Sequence, residues 1–477
     1  MKYPVLLPNI FNYPFTYESE KKLNIGQYVV VPFGKTNMTG IIWRDFEKNS
    51  VKSFSLKKIL SVIPIPPLNI KTLNFLNWFS EYNMIPLGMA LKLHLLNGEA
   101  VEKFDEKKIL EFSIKKKLKK FNLSDEQEAA FKNIGKNKEK FRVHLLQGTT
   151  GSGKTLVYFK SILQQIEDGY QTLILLPEIG LTFEFEKKFT EFFGFKPAIW
   201  HSSISKKNKK VIWSGLKNGN IKVVIGARSA LFLPFKNLSE IVVDEEHDQS
   251  YKQDEGIIYN ARDMAIARAK FENIPINLVS AVPSIETYKN VKDKKFTISR
   301  LVNRFKNASL PKYEIINLKE YKPLKKNYIS PLTEKKVLNH LSKGDQVLFF
   351  INRRGYSPHA MCIKCLKIFS CPNCSINLVY HKKNSRLNCH YCGYKILPNR
   401  NCSKSDKCEI IFSGPGVEKI NEEVINKFPG FKSQIFSSDT MHKKNSKEII
   451  DKIINNEIKI LIGTQLISKG YHFPNLN

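Results

Sequence analysis

Between residues 123 and 310, short apolar runs alternate with longer stretches of mixed polarity. "QTLILLP" (171–177), "KVVIGA" (222–227), "EIVVD" (240–244) and "INLVSA" (276–281) read as strands. "LTFEFEKKFTEFFG" (181–194) and "NARDMAIARAKFE" (260–272) read as the helices between them. Strands alternating with helices predict a doubly wound parallel-sheet lobe. A second set begins at "SPLTEKKVLNHLSKGDQVLFFINRRG" (330–355), within residues 311–361. It resumes with "IIFSGPGVEKINEEVINKF" (410–428) and "KILIGTQLISKG" (459–470), within 409–477. Residues 1–100 are rich in short apolar runs and turns and predict a small β-containing module, and 101–122 read as a basic linker. The expected architecture is α/β: two parallel-sheet lobes, a small N-terminal domain, and an insert over 362–408 that splits the second lobe.

A chain of 477 residues is too long for one core. "MKYPVLLPNIFNYPF" lacks the pattern of a signal peptide, and no run approaches the ~18 apolar residues of a membrane span. The chain reads as cytoplasmic. Its net charge of +32 fits a polyanion partner, because clustered cations gain affinity by releasing counterions from phosphate backbones. Only 11 of the 76 basic residues are Arg, a skew that nucleotide composition could also produce. Patches such as "SIKKKLKK" (113–120) and "SKKNKK" (205–210) also fit solvated faces. The cysteines are more informative. All eight lie between Cys362 and Cys408, which in a cytosolic chain points to metal.

"RVHLLQGTTGSGKTLVYFKSILQQIEDG" (142–169) reads strand, glycine loop, helix. Gly148, Thr149, Thr150, Gly151, Ser152, Gly153, Lys154 and Thr155 form the phosphate-loop pattern. Its glycines turn backbone N–H groups onto phosphates, Lys154 adds a cation and Thr155 offers a hydroxyl to Mg²⁺. The pattern predicts ATP and Mg²⁺ as cofactors. Upstream, Ser124 and Gln127 have capping-box spacing, and Gln127 is also a candidate adenine reader; the two roles are compatible. Downstream, "SEIVVDEEHDQSY" (239–251) delivers acids at the end of a strand, where ligands of open α/β sheets bind. Asp244 is placed to hold Mg²⁺ and Glu245 to deprotonate the attacking water.

These stretches resemble a superfamily 2 helicase and, within it, the PriA family of primosomal replication-restart helicases. The resemblance rests on "GTTGSGKT" (148–155), "LLPEIGLT" (175–182), "GARSALFLPF" (226–235), "DEEHDQSYKQ" (244–253), "NRRGYSP" (352–358) and "GTQLISKGYHFPN" (463–475). "VPFGK" (31–35) and the eight-cysteine insert match too. It implies two RecA-like lobes with ATP between them, and a 3′-to-5′ DNA helicase that recognises stalled forks and promotes primosome assembly. The implied partners are forked DNA with a 3′ end, single-stranded DNA, single-stranded DNA-binding protein and helicase-loading proteins, with the chain a monomer. Lys154, Thr155, Asp244 and Glu245 match nucleotide and metal positions. Residues 226–229, Gly463, Thr464, Gln465, Lys469 and Gly470 match motifs that touch DNA or couple it to ATP. "HDQSYKQDEGIIYNARD" (247–263) corresponds to an aromatic-rich loop linking DNA to hydrolysis. It keeps Tyr251 and Tyr259, but Ile257 replaces a tryptophan. Val282 replaces the threonine of a Ser-Ala-Thr motif, which predicts looser coupling. Asn12 replaces an aspartate in the expected pocket for a 3′ end. The linker leaves no room for the family's winged-helix domain. The family's Ala-Gly-Arg motif, with an arginine contributing about 10³ to 10⁵ in rate, does not occur here, so the second lobe is expected to be incomplete.

Cys362/Cys365, Cys371/Cys374 and Cys389/Cys392 have C-x-x-C spacing, and Cys402 and Cys408 have five residues between them. Eight thiolates fit two tetrahedral Zn²⁺ sites. The inner pairs most simply share one metal and the outer pairs the other, which agrees with the family. Closed four-thiolate sites are structural. Two other readings stay open: a different superfamily 2 repair translocase, and a fork-binding scaffold that keeps ATP as a switch.

Overall fold

The computed structural model describes residues 1–44, 56–95, 122–136, 140–177, 182–304, 311–324, 327–351, 359–362, 368–382, 385–398, 410–437, 440, 446–464, 467 and 473–476. They form two compact units, Met1–Leu310 and Pro311–Asn477.

The first unit opens with β1 (Lys2–Leu6), β2 (Phe15–Glu18), β3 (Tyr28–Phe33), β4 (Thr36–Ile42) and β5 (Ser61–Val62). They pair as an antiparallel five-stranded sheet in the order β2-β1-β4-β3-β5. A two-residue turn joins β3 to β4. Gly34 sits there at φ 60°, the left-handed backbone that matches strand twist in a tight hairpin. Two helices follow, α1 (Ile70–Tyr82) and α2 (Leu87–Leu95).

Next come α3 (Asp125–Gly135), β6 (Arg142–Gly148), α4 (Lys154–Glu167), β7 (Gln171–Leu175), α5 (Thr182–Phe193), β8 (Ala198–Trp200), α6 (Lys206–Asn218), β9 (Val223–Gly226) and β10 (Leu238–Asp244). A small ribbon, β11 (Lys252–Gln253) with β12 (Tyr259–Asn260), leads to α7 (Ala261–Glu272), β13 (Pro275–Ser280), α8 (Ile285–Lys292) and β14 (Thr297–Leu301). Seven strands make one parallel sheet in the order β14-β6-β13-β10-β7-β9-β8. Its central strands are covered on both faces, which is why they read as unbroken apolar runs. β6, β13 and β10 are neighbours, so their C-terminal ends share one edge: Asp244 lies beside Val279, and Val279 beside Leu146.

The N-terminal sheet does not stand apart from this lobe. Leu73, Phe75, Leu76 and Phe79 of α1 join one buried core with Phe232, Tyr259, Met264 and Ala265. Buried polar bonds cross the same junction. Thr72 Oγ1 donates to Glu272 Oε1 at 3.1 Å, Trp213 Nε1 to the His94 carbonyl at 3.0 Å, and Lys217 Nζ to the Pro67 carbonyl at 2.7 Å. His94, fully enclosed, bonds the Phe232 carbonyl at 2.8 Å and the Tyr28 hydroxyl at 3.0 Å. Burial drives its pKa down to about 3, so the ring is neutral.

The second unit contains α9 (Pro331–Ser342), capped by Ser330, then β15 (Val347–Phe350). β16 (His359–Cys362), β17 (Val379–His381), β18 (Arg386–Asn388), β19 (Lys395–Ile396) and β20 (Ile410–Ser413) belong to the cysteine-rich region. α10 (Val417–Lys427), β21 (Ser433–Phe436), a helix over Ser446–Ile454 and β22 (Ile460–Gly463) complete it. β15, β22 and β21 form a parallel sheet in that order. The linker, "NRRGYSP" and most of 465–472 lie outside the described residues.

Candidate nucleotide, metal and DNA sites

β6 delivers the glycine loop and α4 begins inside it. Gly151 and Gly153 take φ of 83° and 82°. Gly153 is also the N-cap of α4 and supplies no side-chain cap, which leaves the first N–H groups of the helix for a ligand. Lys154 Nζ rests on the loop itself, 2.8 Å from the Gly148 carbonyl and 3.3 Å from that of Thr149. Burial lowers its pKa, opposed by the charges of Glu245 and Asp244. Gln127 completes both halves of its capping box with Ser124 and donates Nε2 to the Ser152 carbonyl at 2.9 Å. It therefore buttresses the loop as well as starting α3.

Asp244 ends β10. Tyr158 donates to its Oδ2 at 2.7 Å and the Glu245 N–H to its Oδ1 at 3.0 Å. Burial raises the Asp244 pKa, offset chiefly by the Tyr158 bond and then by Lys154. Glu245 adopts φ 48°, a left-handed backbone that is costly for a residue with a side chain. Three contacts hold it. The Glu246 N–H donates to the Val279 carbonyl at 3.1 Å, the Asp248 N–H to the Glu245 carbonyl at 2.8 Å, and the Tyr251 hydroxyl to the Asp244 carbonyl at 2.6 Å. Burial and then the neighbouring Asp244 raise the Glu245 pKa, moving it towards the value a base needs near neutral pH.

The next layer has no local signature in the chain. Glu246 is buried and accepts from the Ser284 N–H at 2.7 Å, the Thr287 hydroxyl at 2.9 Å and Arg262 Nη1 at 3.3 Å. His247 Nδ1 meets Ser280 Oγ at 2.8 Å. These bonds fasten the acidic stretch to the end of β13 and the starts of α7 and α8. Val282 is 71% exposed, and the bonds to Glu246 and His247 come from Arg262, Ser280, Ser284 and Thr287.

The aromatic-rich loop departs from expectation. Tyr251, Ile257 and Tyr259 are all buried. Tyr259 packs edge-on against Phe79 and Phe232, and Ile257 lies in the same core. Neither tyrosine presents a ring for base stacking. Tyr251 instead ties the loop to Asp244, while Arg228 of "GARSALF" donates to the Lys252 carbonyl at 2.7 Å. Open aromatic surface occurs in the N-terminal sheet, where Phe11, Tyr13, Phe15 and Phe33 cluster with centroids 5.2 to 6.4 Å apart. Asn12 Oδ1 beside them accepts from the Leu87 N–H at 3.0 Å, at the start of α2.

In the second unit, the sulfurs of Cys371, Cys374, Cys389 and Cys392 all lie within 4.8 Å of one another. That spacing suits tetrahedral Zn²⁺, whose thiolates sit about 2.3 Å from the metal. Gly393 turns the chain at φ 76°, and the Cys392 N–H donates to Cys389 Sγ at 3.4 Å. Cys362 is buried at the end of β16. Cys365, Cys402, Cys408 and Gly470 lie outside the described residues.

The DEAD/DEAH box helicase family matches residues 124–291, which makes the nucleotide lobe that of an ATP-driven helicase. The 3′DNA-binding domain (3′BD) matches residues 4–95, and the PriA DNA helicase Cys-rich region (CRR) domain residues 371–396. The replication restart protein PriA of Rickettsia conorii is 42% identical over 99% of this chain and 72% of the relative. Its counterpart in Haemophilus influenzae is 31% identical over 99% of this chain and 74% of the relative. The chain belongs to the PriA family of replication restart proteins.

Proposed function

We propose that this chain hydrolyses ATP to move 3′ to 5′ along DNA at stalled or collapsed forks and promotes primosome assembly there. The observation that carries this reading is the gathering of Lys154, Thr155, Asp244 and Glu245 on one sheet edge, in the same compact unit as the 3′DNA-binding domain. ATP is held by the loop amides and Lys154, with Gln127 as the adenine reader. Thr155 and Asp244 hold Mg²⁺, which when bound neutralises charge on the phosphate oxygens. Glu245 takes the proton from the attacking water. Gly470 and the 226–229 segment serve the coupling between ATP and DNA.

The cysteine-rich region holds two structural Zn²⁺ ions. Cys371, Cys374, Cys389 and Cys392 take one, and Cys362, Cys365, Cys402 and Cys408 the other. In support of the outer set, β16 ends on Cys362 paired with Ile410, two residues beyond Cys408 in sequence. The chain acts as a cytoplasmic monomer with single-stranded DNA-binding protein and helicase-loading proteins as partners. Among the described residues, no helix is long and apolar enough to cross a membrane.

The test is ATP hydrolysis on forked DNA with an exposed 3′ end, beside Lys154→Ala. DNA-stimulated hydrolysis that the substitution abolishes is expected. Nucleotide binding without hydrolysis on any DNA would overturn the motor reading.

A further inference from the structure

Thr155 and Tyr158 are three residues apart on α4, so they share a face of the helix. Tyr158 is fully buried. Its hydroxyl donates to Asp244 Oδ2 at 2.7 Å. The phenol thus reaches from the helix that carries Thr155 to the strand end that carries Asp244, the two residues read above as holding Mg²⁺. Against a carboxylate, which can only accept, the phenol is the donor. Asp244 has one further donor, the Glu245 N–H on Oδ1. With one donor on each oxygen the carboxylate plane is fixed, and each oxygen keeps a lone pair for the ion or its water.

We infer that Tyr158 is a positioning residue that sets Asp244 for the magnesium ion that accompanies ATP. The inference rests on the nucleotide-site reading. Without the phenol hydroxyl, Asp244 keeps its charge but loses one of two bonds fixing its plane in a water-poor site. The ring itself fills space in the core beneath α4, so Tyr158→Phe preserves packing while removing the bond.

The experiment is a titration of the full chain with a fluorescent ADP analogue, with and without Mg²⁺, alongside thermal melting. Wild type is expected to bind more tightly with Mg²⁺, and Lys154→Ala to weaken binding in both conditions; failure of that pair would sink the nucleotide-site reading itself. Tyr158→Phe is expected to cut the Mg²⁺ enhancement about three- to tenfold, part of the strength of one hydrogen bond to a charged group. Affinity without Mg²⁺ stays unchanged. In an Asp244→Asn background the same substitution should add nothing, because the phenol acts through the carboxylate. An undiminished Mg²⁺ enhancement in Tyr158→Phe overturns the inference. So does an equal loss of affinity with and without Mg²⁺, which marks a general packing defect, or an additive loss in the Asp244→Asn background.

Discussion

The nucleotide site and the four-cysteine cluster reach fixed geometry by opposite routes. Around Asp244 the geometry comes from the protein alone. Three neighbouring strands set the register, and Tyr158, Tyr251, Glu246 and Arg262 immobilise what the strands deliver. Around Cys371 the supporting core is small, essentially Ala360, Leu378, Leu387 and two of the cysteines themselves. Four thiolates drawn within 4.8 Å repel one another unless a cation sits among them. The first site is built before its ligand arrives; the second is completed by it.

The largest expected effect tests that contrast directly. Chelation of zinc, or Cys389→Ser, should unfold the β17–β19 region, since structural zinc supplies on the order of 10 kcal/mol of apparent folding free energy. Hydrogen exchange should report loss of protection there while nucleotide binding by the first unit persists. If nucleotide binding failed on chelation, the two regions would not be independent. Next comes Glu245→Gln, which removes the base but keeps the shape. Turnover should fall about 10²- to 10⁴-fold with nucleotide affinity retained, measured by single-turnover hydrolysis.

A smaller effect comes from pH. His94 and His144 are both buried, and burial lowers each pKa to about 3. The unfolded chain binds protons near pH 6.5 and the folded chain does not. Stability from these two rings is therefore complete above about pH 6.5 and declines as pH falls toward about 3. Each accounts for about 2 kcal/mol by pH 5. Melting curves of wild type and His94→Gln from pH 7 to 5 should show a shallower pH dependence in the variant. An unchanged slope would mean that His94 charges without opening the junction. Smallest is Val282→Thr. At an exposed position away from the Glu246 bonds it should change stability by less than about 0.5 kcal/mol. It should leave DNA-stimulated hydrolysis near the wild-type rate, because Ser280, Ser284 and Thr287 carry the hydroxyl contacts. A clear gain in that rate would restore position 282 to the relay.

Much of this was legible in sequence where the signal is local. The glycine loop, the four apolar strands and the capping box of Ser124 and Gln127 each depend on residues a few positions apart. β8 and β14 were not legible. They are edge strands, three and five residues long, and "TISRL" lacks an apolar run. α1 and α2 were hidden because their apolar residues are completed by partners from lobe residues far along the chain. Glu246 reads as one more acid in a run of acids, and only the fold shows that Arg262, Ser284 and Thr287 surround it. Tyr251 and Tyr259 look like stacking residues by type, yet both are core, and only tertiary packing distinguishes those roles.

The core shared by α1 and the nucleotide lobe also has a consequence during synthesis. Phe75 and Phe79 leave the ribosome long before Phe232, Tyr259 and Phe271, the rings they pack against. At about 5–20 residues per second, the wait is roughly 10 to 40 seconds. Throughout it the nascent N-terminal module displays an uncovered aromatic helix face, a natural station for a chaperone.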